Sequence, residues 1–130
     1  MPFESIATGI APSSAPISDC NRAGNLLWLV AIAEDPVSGA ITPGAIEEQT
    51  RQTLQNLDQA VRAAGGTLAD IVNLQIFLVD RADAKGMNAV YAEFFTAKPY
   101  PVRATVVVRE LLADGLRIEI TATAVLADGR

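Results

Sequence analysis

Histidine is absent from the 130 residues, and cysteine occurs once, at Cys20. Without imidazole there is no Ser-His or Cys-His activation of a nucleophile and no His-containing zinc site. Acid-base work therefore falls to carboxylates, Tyr, Lys or water. A lone cysteine excludes an intrachain disulfide and gives no reason to expect an oxidising compartment, so a cytoplasmic location is the expectation. Aromatic residues are scarce at 5% and charged residues reach only 19%. The core must be aliphatic, and the charge deficit points to surface hidden in an oligomer. Ten basic residues face 15 acidic ones, a formal net charge of −5, with a sequence pI near 4.6. Lys and Arg are scattered singly and leave no footprint for a phosphate backbone, so no nucleic-acid partner is expected. No apolar run approaches membrane-spanning length, and MPFESIATGIAPSS lacks the basic start and apolar segment of a signal peptide. No membrane partner is expected either.

Half of the residues are hydrophobic, and the length suits one domain over residues 1–130 with a core that needs no staples. The stretch Pro101 to Leu126 stands out. Two runs rich in Val, Ile and Thr flank Glu110 to Leu116, which contains Asp114-Gly115, and the pattern predicts a hairpin of two antiparallel strands. Side chains alternate along a strand. Arg103, Thr105, Val107 and Arg109 thus share one side, as do Arg117, Glu119, Thr121 and Thr123. The remaining positions are almost purely aliphatic, from Val102, Ala104 and Val106 to Ile118, Ile120, Ala122 and Ala124. In a hairpin those would be buried under helices, leaving Arg103 and Glu119 on one common surface.

Upstream, Phe3 to Thr8 predicts a short edge strand, and Ala11 to Pro16 is a loop by composition. Asn25 to Ala33, NLLWLVAIA, predicts a strand buried on both faces, with Trp28 inside. After the turn Asp35-Pro36-Val37-Ser38-Gly39, the residues Ile46, Thr50, Leu54, Leu57 and Val61 recur at helical spacing. Glu47 and Glu48 suit the start of that helix, and Gly65-Gly66 its end. Ile71 to Val79 predicts a strand and Asp83 to Phe95 a second helix, stopped by Lys98-Pro99. Strand, strand, helix, strand, helix, strand, strand implies an α+β layer: a mixed sheet with both helices on one face. The other sheet face then needs a cover, and packing against further copies would enclose a cavity between subunits.

The chain resembles the RidA family, also called YjgF/YER057c/UK114, over nearly its whole length. The residues that carry the resemblance are Arg22-Ala23-Gly24-Asn25-Leu26-Leu27, Asp35-Pro36 with Gly39, and Ile46 to Gln52 with Asn56-Leu57. To these are added Asn88 to Phe95, Pro101-Val102-Arg103 and Ile118-Glu119-Ile120. The resemblance implies a chorismate-mutase-like α+β subunit in a homotrimer, with sites at the subunit interfaces and with no cofactor or metal. It implies hydrolysis of a carboxylate-bearing enamine or imine to a 2-keto acid and ammonia. Arg103 would grip the substrate carboxylate, whose two oxygens match its planar fork, and Glu119 would hold the attacking water. Thr105 stands where the family commonly has cysteine, and Asn88 matches a position near the site.

Two departures bear on substrate choice. The family's Gly-Pro-Tyr-Ser loop is Ala15-Pro16-Ile17-Ser18 here, and its Ser-Gly-Gln segment becomes Val30-Ala31-Ile32. Ile17, Val30 and Ala31 would thus line a greasier pocket that lacks a phenol. A pathway-specific deaminase of a bulkier, aminomuconate-like substrate is one alternative, and a non-catalytic carboxylate-binding module is another. Cys20 is expected to be a spectator, Arg109 and Arg117 to be solvated, and Tyr91 and Phe94-Phe95 to serve packing. An endoribonuclease role fits poorly with the acidic charge.

Overall fold

A computed structural model describes residues 2–127. A short edge strand, β1 (Glu4–Ser5), pairs antiparallel with β2 (Cys20–Ala23), which turns directly into β3 (Leu26–Ile32). The turn is Gly24-Asn25, with Gly24 at φ 59, the left-handed geometry that a two-residue hairpin loop demands. The sequence reading finds β1 and β3 but misses β2. Its four residues, CNRA, carry no alternation that separates them from the preceding loop.

Helix α1 (Ile46–Ala63) forms where the helical spacing places it. It buries Ile46, Leu54, Leu57, Ala60 and Val61 and carries Glu47 and Glu48 in its first turn. The amides of Gly65 and Gly66 close its end by donating to Arg62 O and Val61 O. Strand β4 (Ile71–Leu78), helix α2 (Ala84–Phe94), strand β5 (Val102–Val107) and strand β6 (Ile118–Val125) follow. The six strands lie in the order β1-β2-β3-β6-β4-β5. All neighbours are antiparallel except β4 and β5, which are parallel. The result is the expected α+β architecture.

The region from Pro101 to Leu126 is not a hairpin. β5 pairs with β4, because a strand returning through a crossover helix such as α2 comes back parallel. The connection over residues 108–117 then carries the chain past β4, and β6 enters between β3 and β4. Asp114-Gly115 does turn, with Gly115 at φ 88, but it does so within that connection.

The sheet faces follow from the register. Ile76 aligns with both Ile120 and Thr105, and Leu74 with Arg103. Arg103, Thr105 and Val107 therefore share the helix-covered face with Ile118 and Ile120. Phe77 aligns with Glu119 and Val106, so Glu119, Thr121 and Thr123 share the opposite, open face with Val102, Ala104 and Val106. A hairpin between β5 and β6 would have put Arg103 and Glu119 together; the real strand order puts them back to back.

One core under the helices joins Leu27, Leu29, Leu54, Leu57, Leu74, Ile76, Met87, Ile118 and Ile120. Burying each such side chain stabilises the fold by about 1.5–3 kcal/mol. On the open face Trp28 is 45% exposed and Val102 is 72% exposed. β3 is therefore buried on one face only, and Val102 and Val106 of β5 lie on the open face rather than under helices. Among the described residues, no helix is long and apolar enough to cross a membrane.

Candidate functional site

The predicted site residues fall into two groups on opposite sides of the sheet. Glu119, Ile17, Val30 and Ala31 line one cleft of about 760 Å³. Its walls include Ile10 to Ser13, Ile32 and Glu34 at the end of β3, and the loop Glu110 to Ala113. Arg103, Thr105 and Asn88 do not line it.

Two buried amides on α1 build the cleft walls. Asn56 Nδ2 donates to Ile32 O (3.0 Å) and Glu34 O (2.8 Å), which fixes the end of β3 on the helix. Gln49 Nε2 donates to Thr42 O (2.9 Å) and Gly115 O (2.7 Å), while its Oε1 accepts from Arg117 N–H at 2.8 Å. Those three bonds hold the 108–117 connection where it enters β6, two residues before Glu119. Arg117 is not solvated as expected. Its guanidinium clamps the buried Asp83 at 2.6 and 3.1 Å and ties the base of α2 to β6. The motif Asp35 to Gly39 is a turn whose Asp35 carboxylate accepts from Val37 and Ser38 N–H. Those bonds hold its pKa below the usual value.

The cleft is acidic. Asp19, Glu34, Glu110 and Glu119 line it, with no Lys or Arg beside them. Burial raises the Glu119 pKa above its ordinary value. Glu34 is raised too, first by burial and then by the neighbouring Asp19 charge. The larger cause is shared: a carboxylate partly withdrawn from water. Asp19 and Glu34 were not singled out from the sequence, since nothing in their spacing marks them until the strand ends converge. Cys20 lies buried under the helices, and its thiol is pushed up to about 11 by burial and by Asp19. Such a thiol is inert at neutral pH, in keeping with a spectator.

On the far face, Arg103 sits over the ring of Tyr91 with Cζ 4.6 Å from the centroid. Tyr91 stacks in turn on Phe95, with ring centroids 4.5 Å apart. Asn88 lies exposed one turn earlier on α2, and Thr105 is exposed next to Arg103 on the edge strand. Arg51, Arg62 and Arg117 are paired with Glu93, Asp58 and Asp83; Arg103 has no such carboxylate partner among the described residues.

The α+β fold accords with the comparisons with known proteins. The chain belongs to the endoribonuclease L-PSP family, also known as YjgF/RidA, whose model matches residues 9–126. That family includes reactive intermediate deaminases. A RutC family protein of Pyrococcus horikoshii is 42% identical over 93% of this chain and 96% of its own. The 2-iminobutanoate/2-iminopropanoate deaminase of Capra hircus is 32% identical, with 92% and 88% covered. The crystal structure of Escherichia coli TdcF with bound serine superposes with a TM-score of 0.87 at 32% identity, covering 95% of this chain and 99% of that one.

Proposed function

We propose that this chain is an enamine/imine deaminase that works as a homotrimer on a small carboxylate-bearing substrate, with each site assembled between two copies. The observation that carries the reading is the segregation of charge. Among the described residues, Glu119 sits half-buried in a cleft lined by no Lys or Arg, and Arg103 lies on the opposite face against Tyr91 with no carboxylate in an ion pair. Each group lacks what the other supplies, and only a second copy can bring them to one substrate. The goat relative named for 2-imino acids and the serine-bound Escherichia coli structure support a ligand with a carboxylate.

The chemistry then runs as follows. Arg103 of one copy clasps the carboxylate with two charge-assisted hydrogen bonds. The enamine takes a proton from solvent on carbon and becomes the iminium ion. A water held by Glu119 of the next copy adds to the imine carbon, with Glu119 accepting the water proton. Glu119 then returns that proton to the carbinolamine nitrogen; the C–N bond breaks to release ammonia, and the hydroxyl proton goes to solvent, leaving the keto oxygen derived from water. The raised pKa of Glu119 makes it a stronger base than an exposed glutamate.

The size and lining of the cleft favour a substrate bulkier than 2-aminoacrylate. Ile17 and Val30 add apolar wall at the very positions where the resemblance leads one to expect a phenol and a hydroxyl. Ribonuclease action, which the family description mentions, is disfavoured because four carboxylates around the cleft would repel a phosphate backbone. The test is to follow keto-acid release from 2-aminoacrylate and from larger enamines, with light scattering to establish the oligomer. Turnover that disappears with Arg103→Ala supports the proposal. An Arg103→Ala variant at full rate overturns it, and binding of 2-keto acids without turnover of any enamine turns the protein into a carboxylate-binding module.

A further inference from the structure

We infer that Tyr91 is a positioning residue for Arg103, and that the Tyr91–Phe95 aromatic pair sets how strongly the site discriminates for a carboxylate. The inference rests on the reading of Arg103 as the carboxylate clasp. Arg103 lies on β5, the last strand of the sheet, which is paired on one side only. Its neighbours Val102, Ala104, Thr105, Val106 and Val107 are all exposed, so the strand supplies no packing that would hold a long side chain in one rotamer. An arginine in such a place is ordinarily immobilised by an acid, as Arg117 is by Asp83. That solution would neutralise the charge the substrate needs.

Tyr91 provides another. Its ring lies under the guanidinium at 4.6 Å and is itself braced by Phe95 at 4.5 Å with an interplanar angle of 22°. A ring face attracts the cation without cancelling its charge. Burial raises the Tyr91 phenol above its ordinary value, against the opposing pull of the Arg103 charge and of a side-chain hydrogen bond from Arg103; Tyr91 is therefore a neutral platform and no counter-ion at physiological pH. Asn88 projects from the preceding turn of the same helix, so one α2 surface would position both the clasp and its polar neighbour.

Tyr91→Leu and Tyr91→Phe are compared in the full-length protein, with pyruvate and its neutral analogue pyruvamide titrated by calorimetry. Tyr91→Leu is expected to weaken pyruvate about five- to tenfold while leaving pyruvamide within twofold, and Tyr91→Phe, which keeps the ring, to hold pyruvate within about twofold. The Arg103 Nε–H resonance, shifted upfield by the ring, is expected to move back in Tyr91→Leu and to stay in Tyr91→Phe. Unchanged pyruvate binding in Tyr91→Leu overturns the inference, and so does an equal loss for acid and amide, which would reveal general damage. Arg103→Ala separates the two levels. If Arg103→Ala loses pyruvate while Tyr91→Leu does not, only the platform falls; if Arg103→Ala binds pyruvate normally, the carboxylate clasp itself falls.

Discussion

The two halves of the candidate site are held by opposite strategies. The Glu119 half is built from the interior outward. β6 lies between two strands, Ile118 and Ile120 anchor it in the core, and Gln49 and Asn56 fasten the loops on either side. The Arg103 half is built at the margin, on an edge strand with exposed valines, and relies on an aromatic pair. A carboxylate that is to act as a base, the role proposed for Glu119, gains strength when it is partly withdrawn from water and suits a rigid mount. The clasp must stay charged and reachable, so it cannot be buried or paired.

The comparison is broken most directly at its two charges. Arg103→Ala removes the proposed bidentate, charge-assisted clasp and should lower kcat/KM about 10²–10³-fold, mainly through substrate affinity. Initial rates over a range of substrate concentrations will check this. Glu119→Gln should lower kcat by about 10²-fold or more and leave the affinity for a 2-keto acid nearly unchanged. A Glu119→Gln variant that loses affinity but keeps its rate would reverse the roles assigned here. Mixing the two inactive variants and allowing subunits to exchange should restore a fraction of the activity, since some interfaces then join an intact arginine to an intact glutamate.

Smaller effects sharpen the difference in mounting. Gln49→Leu strands the carbonyls of Thr42 and Gly115 and the Arg117 amide, and should destabilise the chain by about 2–3 kcal/mol in urea unfolding. It should loosen the Glu119 side while leaving the Arg103–Tyr91 contact intact by NMR. Glu34→Gln tests the partly buried acid beside Asp19. Because its folded pKa is raised, Glu34 contributes stability that is fully present below the ordinary value of 4.5 and is lost as pH rises through the raised one. Glu34→Gln should therefore raise Tm by about 1–2 °C at neutral pH, with the gain vanishing in the acid range; a gain that persists at low pH would assign the effect to something other than ionisation.

Much of the fold was legible because its local signals and its packing agree. The helical spacing from Ile46 to Val61, with acids at its start and Gly65-Gly66 at its end, marks α1 closely, and the apolar run after Gly24-Asn25 marks β3. The failure lay in tertiary pairing. Alternation shows which residues of a strand share a side, so Arg103 with Thr105 and Glu119 with Thr121 were grouped correctly. It cannot show which strand lies beside which, and the turn at Asp114-Gly115 resembles a hairpin loop whether or not the flanking strands meet. Arg117 was misjudged for the same reason, since its partner Asp83 is 34 positions away. Tyr91 was read as packing, and so it is, but what it packs against is the candidate clasp.

A sheet that separates its two reagents front from back has a consequence for dosage. If each site is assembled between copies as proposed, a solitary polypeptide at high dilution carries both groups yet cannot present them to one molecule, and specific activity should collapse below the concentration at which subunits dissociate. Expression level and association strength then become part of the reaction itself. A substitution that merely loosens the contact between neighbours, far from any reacting atom, would silence the protein as surely as losing an acid or a base.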